Sequence, residues 1–183
     1  AGQTAVRTSV PVWTLVWAAG LVLCAAFFAV AYWRCGREFR MSLPVEREFA
    51  WQWLAAHPLR RKIAIRQSDR ISSPLSFGVL RPVILLPKKT DWTDEEALRY
   101  VLEHEFVHIR RFDSVGKLLL IAAACVHWFN PLVWAMYVLA NRDLELSCDE
   151  TVLRRFGGDV RGAYARVLIR MEERRRGVQP QCN

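Results

Sequence analysis

The chain has 183 residues, of which 52% are hydrophobic and 24% are charged, so it is long enough for one domain plus a membrane segment and too apolar to be disordered. Its net charge of +8 comes without a recognised DNA- or RNA-binding motif, and we expect no direct contact with nucleic acid. Its five cysteines include no CxxC pair, which supports neither a disulfide framework nor a zinc finger.

The first predicted element is a membrane-spanning helix over residues 10–33. This run carries no charged side chain, and its length of about 35 Å is enough for a hydrocarbon core of about 30 Å. Three basic residues follow it, namely Arg34, Arg37 and Arg40. The positive-inside rule therefore predicts a short stub, residues 1–9, outside the cell membrane and residues 34–183 on the cytoplasmic side. A signal peptide is the alternative, but its apolar stretch would be shorter and would follow its basic cluster.

Residues 34–183 are predicted to form one membrane-associated domain of the α+β class, mainly helical with a small sheet. An amphipathic helix over 44–57 precedes a strand over 62–66, and residues 73–78 contain turn formers. The run 82–87 is a second strand, and the prolines at both ends favour an edge position. An edge strand can pair with an extended peptide. Four residues are therefore the candidate substrate-binding strand: Val83, Ile84, Leu85 and Leu86.

The chemistry is carried by a helix that begins at a capping box, with Thr93 as the N-cap, and extends to about Arg111. Within it, residues 104–108 have the HExxH pattern. Histidines four residues apart lie on one helical face, so His104 and His108 can bind one zinc ion. The carboxylate of Glu105 can then act as general base on the attacking water.

A catalytic zinc needs a third protein ligand, for which the segment 143–150 offers candidates. Glu145 and Asp149 share one helical face, so Glu145 can bind the metal while Asp149 hydrogen-bonds a ligand imidazole. Three other residues are rivals for the metal: Asp143, Cys148 and Glu150. The two acids point to other faces, and packing is favoured for the thiol.

The second apolar run, residues 115–140, is predicted to be a hairpin. As one straight helix it would extend about 39 Å and would leave Glu145 on the far side of the bilayer from His104. Asn130-Pro131 is the natural corner, because proline interrupts a helix. We expect antiparallel helices on both sides of it, with residues 113–140 dipping into the membrane without crossing it. A basic packing helix is predicted over 160–176, with Tyr164 on its packed face.

Four segments resemble the BlaR/MecR antirepressor peptidases, which are integral-membrane zinc metallopeptidases of bacterial beta-lactam sensor-transducers. These segments are SPLSFGVLRPVILLP (73–87), HEFVHIRRFD (104–113), HWFNPLVW (127–134) and DLELSCDE (143–150). The resemblance covers about residues 34–156.

The resemblance implies a cytoplasmic-facing gluzincin-type peptidase domain that uses Zn²⁺. It implies ligand roles for His104, His108 and Glu145, a general base in Glu105, and a hydrogen bond from a ligand histidine to Asp149. An outside signal would activate the domain, which then cleaves itself or leads to cleavage of a transcriptional repressor. Its expected partners are a protein or peptide substrate and the lipid bilayer, and a homodimer is one assembly to test.

Two other functions fit the same residues. One is a membrane quality-control or prenyl-protein peptidase with the same HExxH and ExxxD arrangement. The other is a non-catalytic membrane signalling module, in which zinc is structural and Glu105 is incidental.

Overall fold

The computed structural model describes residues 11–157 and 160–177, so the predicted stub 1–9 lies outside the described residues. The described elements, in chain order, are α1 (Val12–Arg40), β1 (Leu43–Pro44), α2 (Glu48–Ala56), β2 (Ala64–Ser68), β3 (Leu75–Phe77), β4 (Val83–Pro87), α3 (Glu95–Arg111), α4 (Asp113–Val126), α5 (Pro131–Phe156) and α6 (Arg161–Gly177). The predicted class, mainly helical with a small sheet, is confirmed.

Helix α1 covers the predicted apolar run from Val12 onward and continues beyond it to Arg40, and Val10 lies outside the described residues. Among the described residues, its segment Val12–Arg37 is the one helix long and apolar enough to cross a membrane, and the apolar part of it is not buried by the protein. Exposed apolar side chains such as Trp13, Leu23 and Phe27 cover its surface. A helix with so much apolar surface in contact with its surroundings is typical of a lipid environment.

The small sheet has the strand order β1-β2-β4-β3. Strand β4 pairs in parallel with β2 on one side and antiparallel with β3 on the other, so it lies in the interior of the sheet. The prediction that 82–87 is an edge strand is therefore wrong, and its main-chain groups are not free for a substrate. The misassigned residues are Val83, Ile84, Leu85 and Leu86, of which the last three are fully buried.

The prolines at the two ends of β4 do not mark it as an edge strand. Pro82 precedes the strand and Pro87 is its last residue, so neither missing N–H interrupts the ladder. The free edge beside the candidate site belongs instead to β3, at Leu75–Phe77, a segment whose own residue pattern indicates turn formers.

Helix α3 packs on the sheet and fixes the position of the HExxH motif. Its apolar residues Leu102 and Phe106 form a core with Ile65 and Ile84 of the sheet. The predicted cap at Thr93 is one residue too early, since Asp94 is the N-cap and its carboxylate accepts a hydrogen bond from the N–H of Ala97 at 3.0 Å.

The end of α3 turns the chain directly into α4. Phe112 takes the left-handed conformation with φ 60°, which ends one helix and lets the next begin at Asp113. The Arg61 guanidinium lies 3.8 Å from the centre of the Phe112 ring and also donates a hydrogen bond to the carbonyl of Val79 at 2.6 Å. The corner is thereby tied to the loop that follows β3.

Helices α4 and α5 form the predicted hairpin, with its corner at Asn130 and Pro131. The Asn130 side chain accepts a hydrogen bond from the N–H of Leu132 at 3.0 Å, and proline occupies the first turn of α5. This local chemistry starts a new helix rather than continuing α4.

The tip of the hairpin packs against α1. The Trp17 indole donates to the carbonyl of Val126 at 3.0 Å, and the Trp128 indole donates to the carbonyl of Trp17 at 3.2 Å. Gly20 makes this contact possible, because a Cβ at that position would lie 2.1 Å from the Trp128 ring.

Candidate metal centre

Two helices bring three donor atoms to one point. On α3, the Nε2 atoms of His104 and His108 lie 3.2 Å apart. On α5, one carboxylate oxygen of Glu145 lies 3.3 Å from Nε2 of His108 and 3.6 Å from Nε2 of His104. The antiparallel return of the hairpin is what places Glu145 beside the histidines.

This triangle of donor atoms fits a zinc ion. Zinc binds imidazole nitrogen and carboxylate oxygen at about 2.0–2.2 Å, usually with tetrahedral geometry, which puts neighbouring donors about 3.3–3.6 Å apart. The three observed separations, 3.2, 3.3 and 3.6 Å, lie at or close to that range. The chemistry of the set, two imidazoles and one carboxylate, is also one that zinc enzymes use.

The other ring nitrogen of each histidine meets a carboxylate. Nδ1 of His108 lies 2.7 Å from an oxygen of Asp113, and both side chains are buried. Nδ1 of His104 lies 3.1 Å from Asp149, at the position predicted for that carboxylate. An Nδ1–H that donates to a carboxylate leaves the Nε2 lone pair free for a cation and fixes the plane of the ring.

The electrostatics of the metal-free site favour protons on the imidazoles. For His104, hydrogen bonds with Asp149 and Cys148 outweigh burial and place its pKa well above the ordinary range. For His108, the nearby Cys148 and Glu145 outweigh burial and raise its pKa to about 10. The nearby imidazoles of His104 and His108 hold the pKa of Glu145 well below its ordinary value. The site therefore attracts positive charge, and a metal cation would replace these protons.

The second oxygen of Glu145 is also engaged. It accepts a hydrogen bond from the Lys117 ammonium group at 3.0 Å, across the α4–α5 hairpin. The lysine thus fixes the carboxylate with one oxygen toward the histidines, which is the orientation that single-oxygen coordination requires.

Glu105 is buried next to the triangle and borders the same cavity as His104, His108 and Glu145. The approach to β3 and its first residues also line the cavity, namely Ser73, Pro74, Leu75 and Ser76. The cavity is open to the surroundings.

The rival ligands lie elsewhere or face the wrong nitrogen. Glu150 is exposed and pairs with Arg154 at 2.7 Å, and Asp143 is exposed. Cys148 is close enough to the histidines to form an alternative His-His-Cys group. Its sulfur, however, lies 3.7 Å from Nδ1 of His104 and is fully buried, on the side of the ring away from Glu145.

Three residues that contact the proposed metal ligands were not predicted to belong to the site. Asp113 was assigned only to the start of the hairpin, although a carboxylate five residues after the second histidine is a signal that could have been tested. Lys117 and Tyr164 have no such signal, because their contacts depend on how α4 and α6 pack.

The comparisons with known proteins point to a family of peptidases. A family model described as BlaR1 peptidase M56 matches residues 2–183. Regulatory protein BlaR1 of Bacillus licheniformis is 36% identical over 110 residues, which are 60% of this chain and 18% of that protein. The methicillin resistance mecR1 proteins of Staphylococcus aureus and Staphylococcus epidermidis are each 25% identical over 146 residues, 76% of this chain and 25% of theirs. The chain spans a quarter or less of the length of these relatives. Because the family model covers nearly all of its residues, the chain belongs to the M56 family of BlaR1-type peptidases.

Proposed function

We propose that the chain is a membrane-embedded zinc metalloendopeptidase of a bacterial sensor-transducer. The observation that carries this proposal is the meeting of His104, His108 and Glu145 within 3.6 Å, beside the buried carboxylate of Glu105. Because the chain belongs to a family of peptidases, peptide hydrolysis is the reaction expected at this site.

In this proposal each residue has a defined task. His104, His108 and Glu145 would hold Zn²⁺, and the chemistry that this ion would supply is polarisation of the scissile carbonyl and a lower pKa of the attacking water, toward about 7. Glu105 takes the proton from that water and delivers it to the leaving amine. Asp149 holds the ring of His104 through Nδ1.

The substrate strand is reassigned from β4 to β3. One edge of β3 pairs with β4, whereas no described strand pairs with the other, and the cavity beside the donor atoms begins there. An extended peptide can add to such an edge through main-chain hydrogen bonds, which align it without demanding a particular sequence. We propose that the scissile peptide lies along β3, between it and Glu105.

The site is proposed to lie at the cytoplasmic surface of the membrane. Phe77 of β3 contacts Tyr32 and Phe39 of α1, each with ring centres 5.0 Å apart, whereas the hairpin tip contacts Trp17. From Trp17 to Tyr32 a helix rises about 23 Å, less than the hydrocarbon thickness of about 30 Å. The hairpin therefore has the length to enter the bilayer and return without crossing it.

Two further features support this membrane placement. Apolar side chains on the outside of the hairpin are exposed, among them Leu119, Phe129, Leu132 and Val138. The basic residues after the span, Arg34, Arg37 and Arg40, favour a cytoplasmic location for the site and an outside location for the N-terminus. The relatives bear the names regulatory protein BlaR1 and methicillin resistance mecR1 protein, and we propose a role in antibiotic-resistance signalling for this chain as well. The proposed cleavage is of the chain itself or of a transcriptional repressor. A homodimer remains a proposal, and no nucleic-acid contact is proposed.

A Glu105→Gln variant tests the catalytic part of the proposal. Glutamine keeps the shape of the side chain but cannot take a proton, so the variant is expected to retain one zinc per chain and to lose peptide cleavage. Zinc content and cleavage of a candidate repressor or of the chain itself would be measured together, in detergent or nanodiscs. A variant that keeps its signalling output would favour the non-catalytic module. Cleavage of misfolded membrane proteins but not of a repressor would favour the quality-control peptidase.

A further inference from the structure

The proposed zinc site has a contact that comes from outside the HExxH helix and the hairpin. We infer that Tyr164, on the C-terminal helix α6, is a positioning residue that holds the imidazole of His104 for the metal. This inference rests on the proposed zinc site. It extends the site to a fourth helix, for which only a packing role was predicted.

The hydroxyl group of Tyr164 closes a triangle with His104 and Asp149. It lies 2.9 Å from Nδ1 of His104 and donates to an oxygen of Asp149 at 2.8 Å, and that same oxygen lies 3.1 Å from Nδ1. A hydroxyl has one proton and two acceptor lone pairs. Since its proton goes to Asp149, the oxygen accepts from the Nδ1–H of His104.

This arrangement selects one tautomer of His104. The Nδ1–H is shared between the hydroxyl and the carboxylate, so the proton that leaves when a metal binds is the one on Nε2, the atom that faces His108 and Glu145. Without the hydroxyl, Asp149 and the more distant Cys148 sulfur would be the groups left at Nδ1. Asp149 is half-buried and lies at a longer distance, so the ring would be held less firmly.

The position of the hydroxyl is itself fixed by packing. Tyr164 is 3% exposed and its ring meets that of Tyr100 edge-on, with centres 5.8 Å apart. Val107 and Val152 complete the same buried cluster. A phenol held in this way cannot follow a displaced imidazole, so it defines where the Nδ1 atom must lie.

It follows that α6 is part of the metal site. Partners of the second ring nitrogen typically contribute 10- to 100-fold to metal affinity. We therefore expect loss of the Tyr164 hydroxyl to weaken zinc binding by about 10-fold or more, while the ring continues to fill the cluster.

The test compares Tyr164→Phe with Tyr100→Phe in the full chain. Both tyrosines are 3% exposed and lie in one cluster, but the Tyr100 hydroxyl donates to Glu96 at 2.9 Å and does not contact a proposed ligand. Zinc dissociation constants would be measured by competition with a chromophoric chelator, and Co²⁺ absorption spectra would report the ligand geometry. Thermal unfolding of the metal-free proteins would show whether packing is equally affected.

We expect Tyr164→Phe to weaken zinc binding by about 10- to 100-fold and to change the Co²⁺ spectrum, and Tyr100→Phe to leave both within about twofold of the wild type. An unchanged affinity for Tyr164→Phe, or an equal loss in both variants, would overturn the inference. His104→Ala separates this failure from that of the proposed function. If that variant also bound zinc like the wild type, the zinc site itself would be wrong.

Discussion

Asp113→Asn is the substitution for which the structure gives the clearest expectation. The Asp113 carboxylate accepts from Nδ1 of His108 at 2.7 Å, and both side chains are more than nine-tenths buried. Asparagine has nearly the same shape but no charge, so the variant keeps the packing of the α3–α4 corner. A buried hydrogen bond to a charged group is worth about 1.5–3 kcal/mol. The asparagine oxygen can still accept this hydrogen bond, so only the charge-dependent part, about 1–1.5 kcal/mol, is lost from the metal-bound state, which corresponds to a decrease in zinc affinity of about 10-fold.

The assay is equilibrium competition with a chelator of known affinity, on protein shown to be folded by circular dichroism. Asp143→Asn is the matched control, since it removes one exposed carboxylate from α5 and should leave the affinity within about twofold. If Asp113→Asn bound zinc as tightly as the control, His108 would not be a ligand through Nε2 in the way the geometry requires.

Two other predictions concern pH and the hairpin. The pKa of metal-free His108 is about 10, so below that pH a proton competes with the metal. Zinc affinity should therefore rise with pH, by up to about tenfold per unit for each proton released, and a flat profile between pH 6 and 8 would contradict this. Gly20→Ala should displace the Trp128 indole and lower the free energy of unfolding in detergent by about 1–3 kcal/mol. Gly116→Ala, with no atom within 4 Å of the added Cβ, should be neutral or stabilising, and equal destabilisation of both variants would argue against the α1–hairpin contact.

Much of this fold could be predicted because its strongest signals are local or follow from a single geometric constraint. The 3.6-residue period puts His104 and His108 on one face of α3, and the corner at Asn130-Pro131 follows from proline chemistry. Glu145 can reach the same ion only if the chain turns back on itself. The structure shows this hairpin.

The features that sequence patterns did not predict depend on contacts between segments far apart in the chain. Whether β4 is an edge or an interior strand is decided by β3, whose short run Leu75–Phe77 has too few residues to show a strand period. The Tyr164 contact depends on where α6 packs, 60 residues after His104. Neither fact is encoded in a local motif, so sequence patterns alone could not reach them.

The central claim is that two imidazoles and the Glu145 carboxylate hold zinc, with the Cys148 thiol excluded although it lies close to His104. X-ray absorption at the zinc edge, on the full chain loaded with one zinc, distinguishes the two ligand sets directly. The account predicts only nitrogen and oxygen neighbours at about 2.0–2.2 Å, with the multiple-scattering signature of two imidazoles. A sulfur neighbour at about 2.3 Å would show that Cys148 is the third ligand and would contradict it.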